Sequence, residues 1–120
     1  CSPKGTDVCK IARKIASEMA PLLPMRLSSN LVIQTVFAVK RSIGITAKFE
    51  YSKSHLEDAL SSSGMSNNDM LAIMRKHARD GFCQPNTPNK SFIDLGGVVE
   101  YHYRFNDGSL YTQQRIDSCL

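Results

Sequence analysis

Three side chains that could act together on a phosphodiester occupy alternate positions of one short stretch: Glu100, His102 and Arg104. Alternate residues of a β-strand share a face, so a carboxylate, an imidazole and a guanidinium would be neighbours there. Cleavage of RNA needs a proton acceptor, a proton donor and a cation that stabilises the developing negative charge. A small secreted ribonuclease is therefore one hypothesis for this chain.

A structural explanation of the same three residues is simpler. Glu100 falls opposite Arg115 in the hairpin described below, and a solvent-exposed strand face is expected to be polar at alternate positions. No Ser-His-Asp context, Gly-rich phosphate loop or metal-ligand spacing occurs in the sequence. We therefore favour a protein that is not an enzyme, and we expect it to hold no metal and no cofactor.

The four cysteines, Cys1, Cys9, Cys83 and Cys119, lack the Cys-x-x-Cys spacing of zinc and redox sites. A structural disulfide is the better interpretation, because Cys83 ends a predicted helix and Cys119 ends the last predicted strand. A bond between them would close a loop of about 35 residues and contribute roughly 3 to 4 kcal/mol. Such a bond indicates an oxidising compartment.

The sequence starts at a cysteine, which is followed by the polar residues Ser2 to Gly5. A mature bacterial lipoprotein begins in this way once its signal peptide has been removed. We therefore expect Cys1 to carry a lipid and residues 1–6 to form a flexible tether. The alternative is that Cys1 pairs with Cys9 in a small disulfide loop.

The chain has 120 residues, of which 42% are hydrophobic and 22% are charged, and its net charge is +4. This length fits one domain, which we assign to residues 7–120. The sequence contains no apolar run long enough to span a bilayer. Lys and Arg are scattered and never form a long cluster, so we expect no nucleic-acid partner.

The stretch from Gly97 to Cys119 predicts a β-hairpin. Asp107 and Gly108 lie between two alternating runs and suit a type I′ turn, in which both central residues have positive φ. Counting outward from this turn places Glu100 opposite Arg115, an opposite-charge pair that supports the register. The core face of the first strand then carries Val99, Tyr101, Tyr103 and Phe105.

The remaining elements follow from hydrophobic periodicity and capping residues. They predict an α+β fold in which an antiparallel sheet of about four strands, in two hairpins, packs with an N-terminal helix and a helical insert. The predicted elements are a helix from Val8 to Met19 capped by Thr6 or Asp7, strands over Asn30–Val39 and Ile43–Ser52, a helix from Ser54 to Leu60, a helix over Asn67–Asp80 capped by Ser66, and a last helical turn from Ser91.

Several of these features together resemble the AspS-type pilotin lipoproteins of bacterial type II secretion. They are the leading Cys1 with its polar leader, the link Leu22-Leu23-Pro24-Met25 after the first helix, two strands, a helix leading to Cys83, and a final hairpin that ends in Asp117-Ser118-Cys119. The resemblance implies a lipidated Cys1 and a disulfide between Cys83 and Cys119. Cys9 departs from the pattern.

The resemblance also implies a function. Such a pilotin binds the C-terminal segment of the secretin subunit and escorts it to the outer membrane, which needs no catalytic residue. We therefore expect a monomer on the periplasmic side of the outer membrane, anchored there by its lipid. A periplasmic immunity protein or enzyme inhibitor is an alternative, although such proteins usually show a concentrated charge patch that this sequence lacks.

A mixed apolar and polar sheet face is the predicted partner surface, because interfaces combine apolar anchors with polar neighbours. Strict alternation places Leu31, Ile33, Phe37 and Val39 on the core face, and the partner surface on the other one. If a helix covers that other face, the groove lies between helix and sheet instead. The predicted partner-binding residues are Val32, Gln34, Val36, Val98, His102, Tyr111 and Gln113.

Overall fold

The computed structural model describes residues 7–120. The expected tether, residues 1–6, and the expected lipid site, Cys1, lie outside this range. Residues 7–120 form four α-helices, a single turn of 3₁₀ helix (Ala20–Leu22) and five strands. In chain order the helices and strands are α1 (Val8–Met19), β1 (Met25–Ser28), β2 (Leu31–Val39), β3 (Ser42–Phe49), α2 (Lys53–Ser63), α3 (Asn67–Phe82), α4 (Pro88–Asp94), β4 (Val98–Arg104) and β5 (Leu110–Ile116).

The five strands form one mixed sheet in the order β1-β2-β3-β4-β5. The expected α+β class is confirmed, but the expectation of four antiparallel strands is wrong in two respects. Met25 to Ser28, predicted to be part of a connector, forms the edge strand β1, whose four residues are too few for a clear alternation. The two hairpins join through a parallel pairing of β3 with β4, which the helical insert between them allows.

Local capping explains where the helices begin. Asp7 accepts hydrogen bonds from the backbone N–H groups of Cys9 and Lys10, and Ser66 forms a capping box with Asp69, as predicted. Two predicted starts are wrong by a few residues. Ser52 rather than Ser54 caps α2, and Thr87 caps α4 so that Pro88, not Ser91, starts it.

The β4–β5 hairpin has the predicted register along most of its length, including Glu100 opposite Arg115. The turn differs from the prediction. Gly108 has a φ of +88°, but Asp107 is not in the positive-φ region, so the turn is not type I′. The backbone N–H of Gly108 donates to Phe105 and that of Phe105 donates to Ser109. This longer turn adds one residue to β5, and a bulge at Tyr111 absorbs it.

A second bulge interrupts β2. Ile33 lies opposite Ala47, but Thr35 lies opposite Thr46, so Gln34 is an extra residue. Because a shift of one residue reverses the faces of a strand, the assignment by strict alternation is right up to Ile33 and wrong beyond it. Beyond the bulge, Val36 and Ala38 pack against the core, whereas Phe37 and Val39 are exposed on the opposite face.

All four helices contribute to a single core on one face of the sheet, which we call the helical face. Ala12 and Ile15 of α1, Leu56 of α2, Phe82 of α3 and Phe92 of α4 belong to the same buried cluster as the strands. The strand residues in this cluster all lie on that face and are Ile33, Ile43, Ile45, Ala47, Phe49, Val99, Tyr101, Tyr103 and Ile116.

The Cys83–Cys119 disulfide ties the end of α3 to the tail that follows β5. The two Cα atoms lie 5.6 Å apart, and the bond closes a separation of 36 residues. This bond was predicted from the positions of the two cysteines and is confirmed. No described cysteine is a free thiol, and Cys9 is buried within α1. The alternative pairing of Cys9 with Cys1 involves a residue outside the described range.

Candidate functional site

The polar residues of β4 form a chain of side-chain interactions on the face opposite the helices. Glu100 Oε1 lies 3.5 Å from Arg115 Nη1, and Glu100 Oε2 lies 3.8 Å from His102 Nε2. His102 Nδ1 is 3.1 Å from Gln113 Nε2. Each ring nitrogen of His102 therefore faces a cross-strand or same-strand neighbour.

Arg104 does not join this chain of interactions. Its Nη1 donates to the carbonyl oxygen of Gly108 at 2.9 Å and holds the guanidinium against the hairpin turn. Cross-strand pairing of Glu100 and turn stabilisation by Arg104 are ordinary structural roles for a hairpin. The ribonuclease hypothesis therefore has no support from the way these three side chains are arranged.

The predicted partner surface does not form one patch. Val32, His102 and Gln113 lie on the opposite face, and Gln34 is the exposed extra residue of the β2 bulge. Val98 is buried, with 1% of its surface exposed. The face assignment was wrong for the two others, which the bulges turn to the helical face: Val36 packs against the core, and Tyr111 contacts Phe49 and Phe105 and donates from its hydroxyl group to Asn67.

A separate apolar surface remains uncovered on the helical face. It is a groove of about 570 Å³ between β1 and α3, which we call the β1–α3 groove. Its floor is the centre of the sheet, namely Ile33, Ile45, Phe49, Tyr101 and Tyr103. The rings of Tyr101 and Tyr103 stack at 5.8 Å, and that of Phe49 lies 6.1 Å from Tyr103.

The two walls of the groove are mainly apolar, and Ser28, Asn30 and His77 are polar residues of the lining. The end of α1 and the β1 region supply one wall, formed by Met19, Met25, Leu27 and Leu31, and α3 supplies the other, formed by Met70, Ile73, Met74, His77, Ala78 and Phe82. One large aliphatic side chain is exposed on each wall, Leu27 at 48% and Ile73 at 40%. Exposed apolar side chains on both walls of a groove are typical of a binding site.

The polar groups of the floor stay uncharged. Burial raises the pKa of Tyr101 to about 12, and it raises the pKa of Tyr103 well above its ordinary value, with a further contribution from Tyr101. Neither hydroxyl group has a hydrogen-bond partner among residues 7–120. The floor therefore offers two neutral hydroxyl groups to a ligand within an apolar surface.

Sequence reasoning anticipated a groove between helix and sheet only as its alternative, and it named none of the wall residues as a binding group. Leu27 lay in a predicted connector. Ile73 and the methionines of α3 were assigned to the core, because apolar residues at helical spacing usually are. The sequence carries no signal that separates them from core residues, because Met70, Ile73, Met74 and His77 have the i, i+3, i+4, i+7 spacing of an ordinary buried helix face.

Residues 7–120 contain no group of three or more His, Cys, Asp or Glu side chains that could hold a metal ion. Over the same range, none of the helices is both long and apolar enough to cross a membrane.

Comparison with solved structures gives three similar folds. A candidate secreted protein from Pseudomonas aeruginosa has a TM-score of 0.71 at 18% identity, over 100% of this chain and 99% of that one. The type II secretion system pilotin AspS from Vibrio cholerae has a TM-score of 0.67 at 17% identity, over 94% and 92%. The type II pilotin EpsS from Vibrio vulnificus has a TM-score of 0.67 at 15% identity, over 91% and 86%.

The chain has the fold of these pilotins. The resemblance seen in the sequence is thus confirmed in three dimensions, over nearly the whole length of each chain. No protein-family model and no curated protein sequence matches the chain. At 15 to 18% identity, most side chains differ between this chain and the three similar proteins, so the likeness shows a shared fold.

Proposed function

We propose that this protein is a type II secretion pilotin, a non-enzymatic escort that binds the C-terminal segment of a secretin subunit. It carries the secretin to the outer membrane, to which a lipid on Cys1 anchors it from the periplasmic side. The observation that carries the proposal is the pilotin fold together with an uncovered apolar groove. The Cys83–Cys119 disulfide fits an oxidising compartment such as the periplasm.

The groove suits a segment that becomes ordered as it binds. A disordered segment with an apolar stripe at i, i+3, i+4 and i+7 can fold into an amphipathic helix against an apolar groove. Leu27 and Ile73 would contact that stripe from the two walls. The hydroxyl groups of Tyr101 and Tyr103 would form hydrogen bonds with polar groups of the segment. Burial of apolar surface on both partners supplies the binding free energy.

Escort of the secretin also needs an affinity for the membrane that is independent of the affinity for the secretin. A single acyl chain gives only marginal membrane binding, so stable anchoring needs more than one chain or an added signal. The mature cysteine of a bacterial lipoprotein receives several chains, which would meet this need at Cys1. The pilotin domain then needs only to hold its cargo while the anchor takes both to the membrane.

Replacement of Leu27 or Ile73 by Asp tests the groove. Each change places a charge on an exposed apolar wall, so we expect binding of a synthetic secretin C-terminal peptide to weaken at least about tenfold. Isothermal titration calorimetry measures the affinity, and far-UV circular dichroism checks the fold. Val39→Asp is the matched control, because Val39 is 55% exposed and lies on the opposite face of the sheet.

Two outcomes would separate the parts of this proposal. If the unmodified protein fails to bind the C-terminal peptide of every secretin from its own organism, the pilotin function is wrong. If the peptide binds and Val39→Asp weakens it as much as Ile73→Asp does, the function holds but the groove is not the site.

A further inference from the structure

Four of the five methionines of the chain line the β1–α3 groove. Met19 ends α1, Met25 begins β1, and Met70 and Met74 lie one turn apart on α3. Three separate elements thus bring their thioethers to one apolar surface. The fifth methionine, Met65, lies between α2 and α3 and does not line the groove.

The thioether gives this surface two properties. It is flexible and polarisable, so it adapts to ligand side chains of different shapes. It is also readily oxidised: a sulfur lone pair attacks one oxygen of hydrogen peroxide, the O–O bond breaks, and methionine sulfoxide and water form. The product places a polar oxygen where an apolar sulfur had been.

Three of the four methionines that line the groove are accessible to an oxidant in solvent. Met19, Met25 and Met70 are partly exposed along the groove, whereas Met74 is 8% exposed beneath α3. The Cys83–Cys119 disulfide indicates a compartment in which oxidants are present. Peroxide can therefore reach the groove from solvent without unfolding of the core.

We propose that Met19, Met25 and Met70 form an oxidation-sensitive site, at which conversion to sulfoxides makes the β1–α3 groove reject apolar ligands. An apolar ligand cannot satisfy the sulfoxide oxygens, so binding weakens by about tenfold or more. Because methionine sulfoxide can be reduced enzymatically, the effect is reversible. The natural ligand rests on the proposed function, but the chemistry of the site does not.

The experiment treats the full chain with dilute hydrogen peroxide and maps the sulfoxides by mass spectrometry. Binding is measured with two probes, Nile red as a neutral apolar dye and a synthetic secretin C-terminal peptide. Weaker binding of Nile red to the Ile73→Asp variant establishes that the dye occupies the groove. We expect Met19, Met25 and Met70 to oxidise before Met74, both probes to bind about tenfold more weakly afterwards, and a bound peptide to slow the oxidation.

Leucine variants show whether oxidation of the three sulfurs causes the weaker binding, because Met→Leu conserves volume and leucine resists oxidation. A triple variant, M19L/M25L/M70L, should keep its affinity for both probes after peroxide treatment. Met65→Leu, the matched control outside the groove, should leave the sensitivity unchanged. Circular dichroism before and after treatment verifies that each sample is folded.

Two results would overturn the inference: unchanged dye binding after all three methionines are oxidised, or an equal loss of dye binding in the triple leucine variant. Failure of the proposed function looks different. There the peptide does not bind even the untreated protein, while binding of Nile red still follows the oxidation state of the groove.

Discussion

At the scale of single residues, the tyrosines of the groove floor are held in their protonated form. Tyr101 and Tyr103 are buried on the helical face, and burial in a low-dielectric environment disfavours the phenolate. The pKa of Tyr101 is raised from 10.0 to about 12, and that of Tyr103 is raised further. Their hydroxyl groups are therefore neutral donors and acceptors at any physiological pH.

These raised pKa values predict a loss of stability in alkali. A raised pKa means that the unfolded chain loses its phenolic protons first, so the stabilisation is complete below about pH 10 and is lost as the pH rises toward 12. Tyr101→Phe/Tyr103→Phe should reduce this loss and change stability little at pH 8, where neither hydroxyl group has a partner in residues 7–120. Urea denaturation of the parent and of the double variant at pH 8, 10 and 11 measures the free energy of unfolding. An equal loss of this free energy in both proteins between pH 8 and 11 would contradict the prediction.

At the scale of elements, the glycines Gly81 and Gly97 have opposite roles. A Cβ on Gly97, just before β4, would overlap the fully buried ring of Phe92. A Cβ on Gly81, inside α3, would meet no atom within 4 Å. The close packing of Phe92 against the α4–β4 connection therefore requires glycine at position 97, whereas α3 can accept a side chain at position 81.

Alanine substitutions should separate these roles. We expect Gly97→Ala to destabilise the protein by about 1 to 3 kcal/mol, because overpacking displaces Phe92. We expect Gly81→Ala to stabilise it by about 0.4 to 1 kcal/mol, since Gly81 does not have a positive φ and alanine lowers the conformational entropy of the unfolded chain. Chemical denaturation measures both changes, and a stabilised Gly97→Ala variant would show that Phe92 moves aside at no cost.

The disulfide is also a property of elements, since it joins the end of α3 to the tail of β5. Cys83→Ser/Cys119→Ser should lower the free energy of unfolding by roughly 3 to 4 kcal/mol, chiefly because the unfolded chain regains the freedom of the closed loop. Thermal and urea denaturation of the oxidised protein and of the double variant measure the difference. A double variant as stable as the parent would mean that the core alone fixes α3.

At the scale of the whole molecule, anchoring and cargo binding are separate functions. The expected lipid site, Cys1, precedes the described domain, and the β1–α3 groove lies within it. Loss of the anchor should therefore change where the protein is found and leave its peptide affinity intact.

Mass spectrometry of the protein from its native membrane should find lipid on Cys1. Cys1→Ala should leave folding and peptide binding unchanged and release the protein from the outer membrane, with Ser2→Ala as the matched control. Fractionation of cells and calorimetry of the purified variants measure the two effects. An unmodified Cys1 or a Cys1–Cys9 bond in the native protein would contradict the prediction of a lipid anchor.

Local sequence alone determined several features of this protein. Asp7 and the Ser66–Asp69 capping box start helices because their side chains bond to backbone groups two or three residues away. The register from Val99 to Tyr103 agrees with the count from alternation, because the bulge at Tyr111 offsets the longer turn. Each of these features depends on residues that are close in the chain, so each can be predicted from the sequence.

The position of the groove follows from how distant elements pack, which local sequence does not show. Periodicity shows which residues of an element share a face, but not which element meets that face or whether it is fully covered. The bulges at Gln34 and Tyr111 each reverse part of a strand through one extra residue, and the parallel pairing of β3 with β4 joins residues more than 50 positions apart. The groove exists because β1 and α3 leave part of the sheet uncovered, which is a property of their packing and not of either sequence.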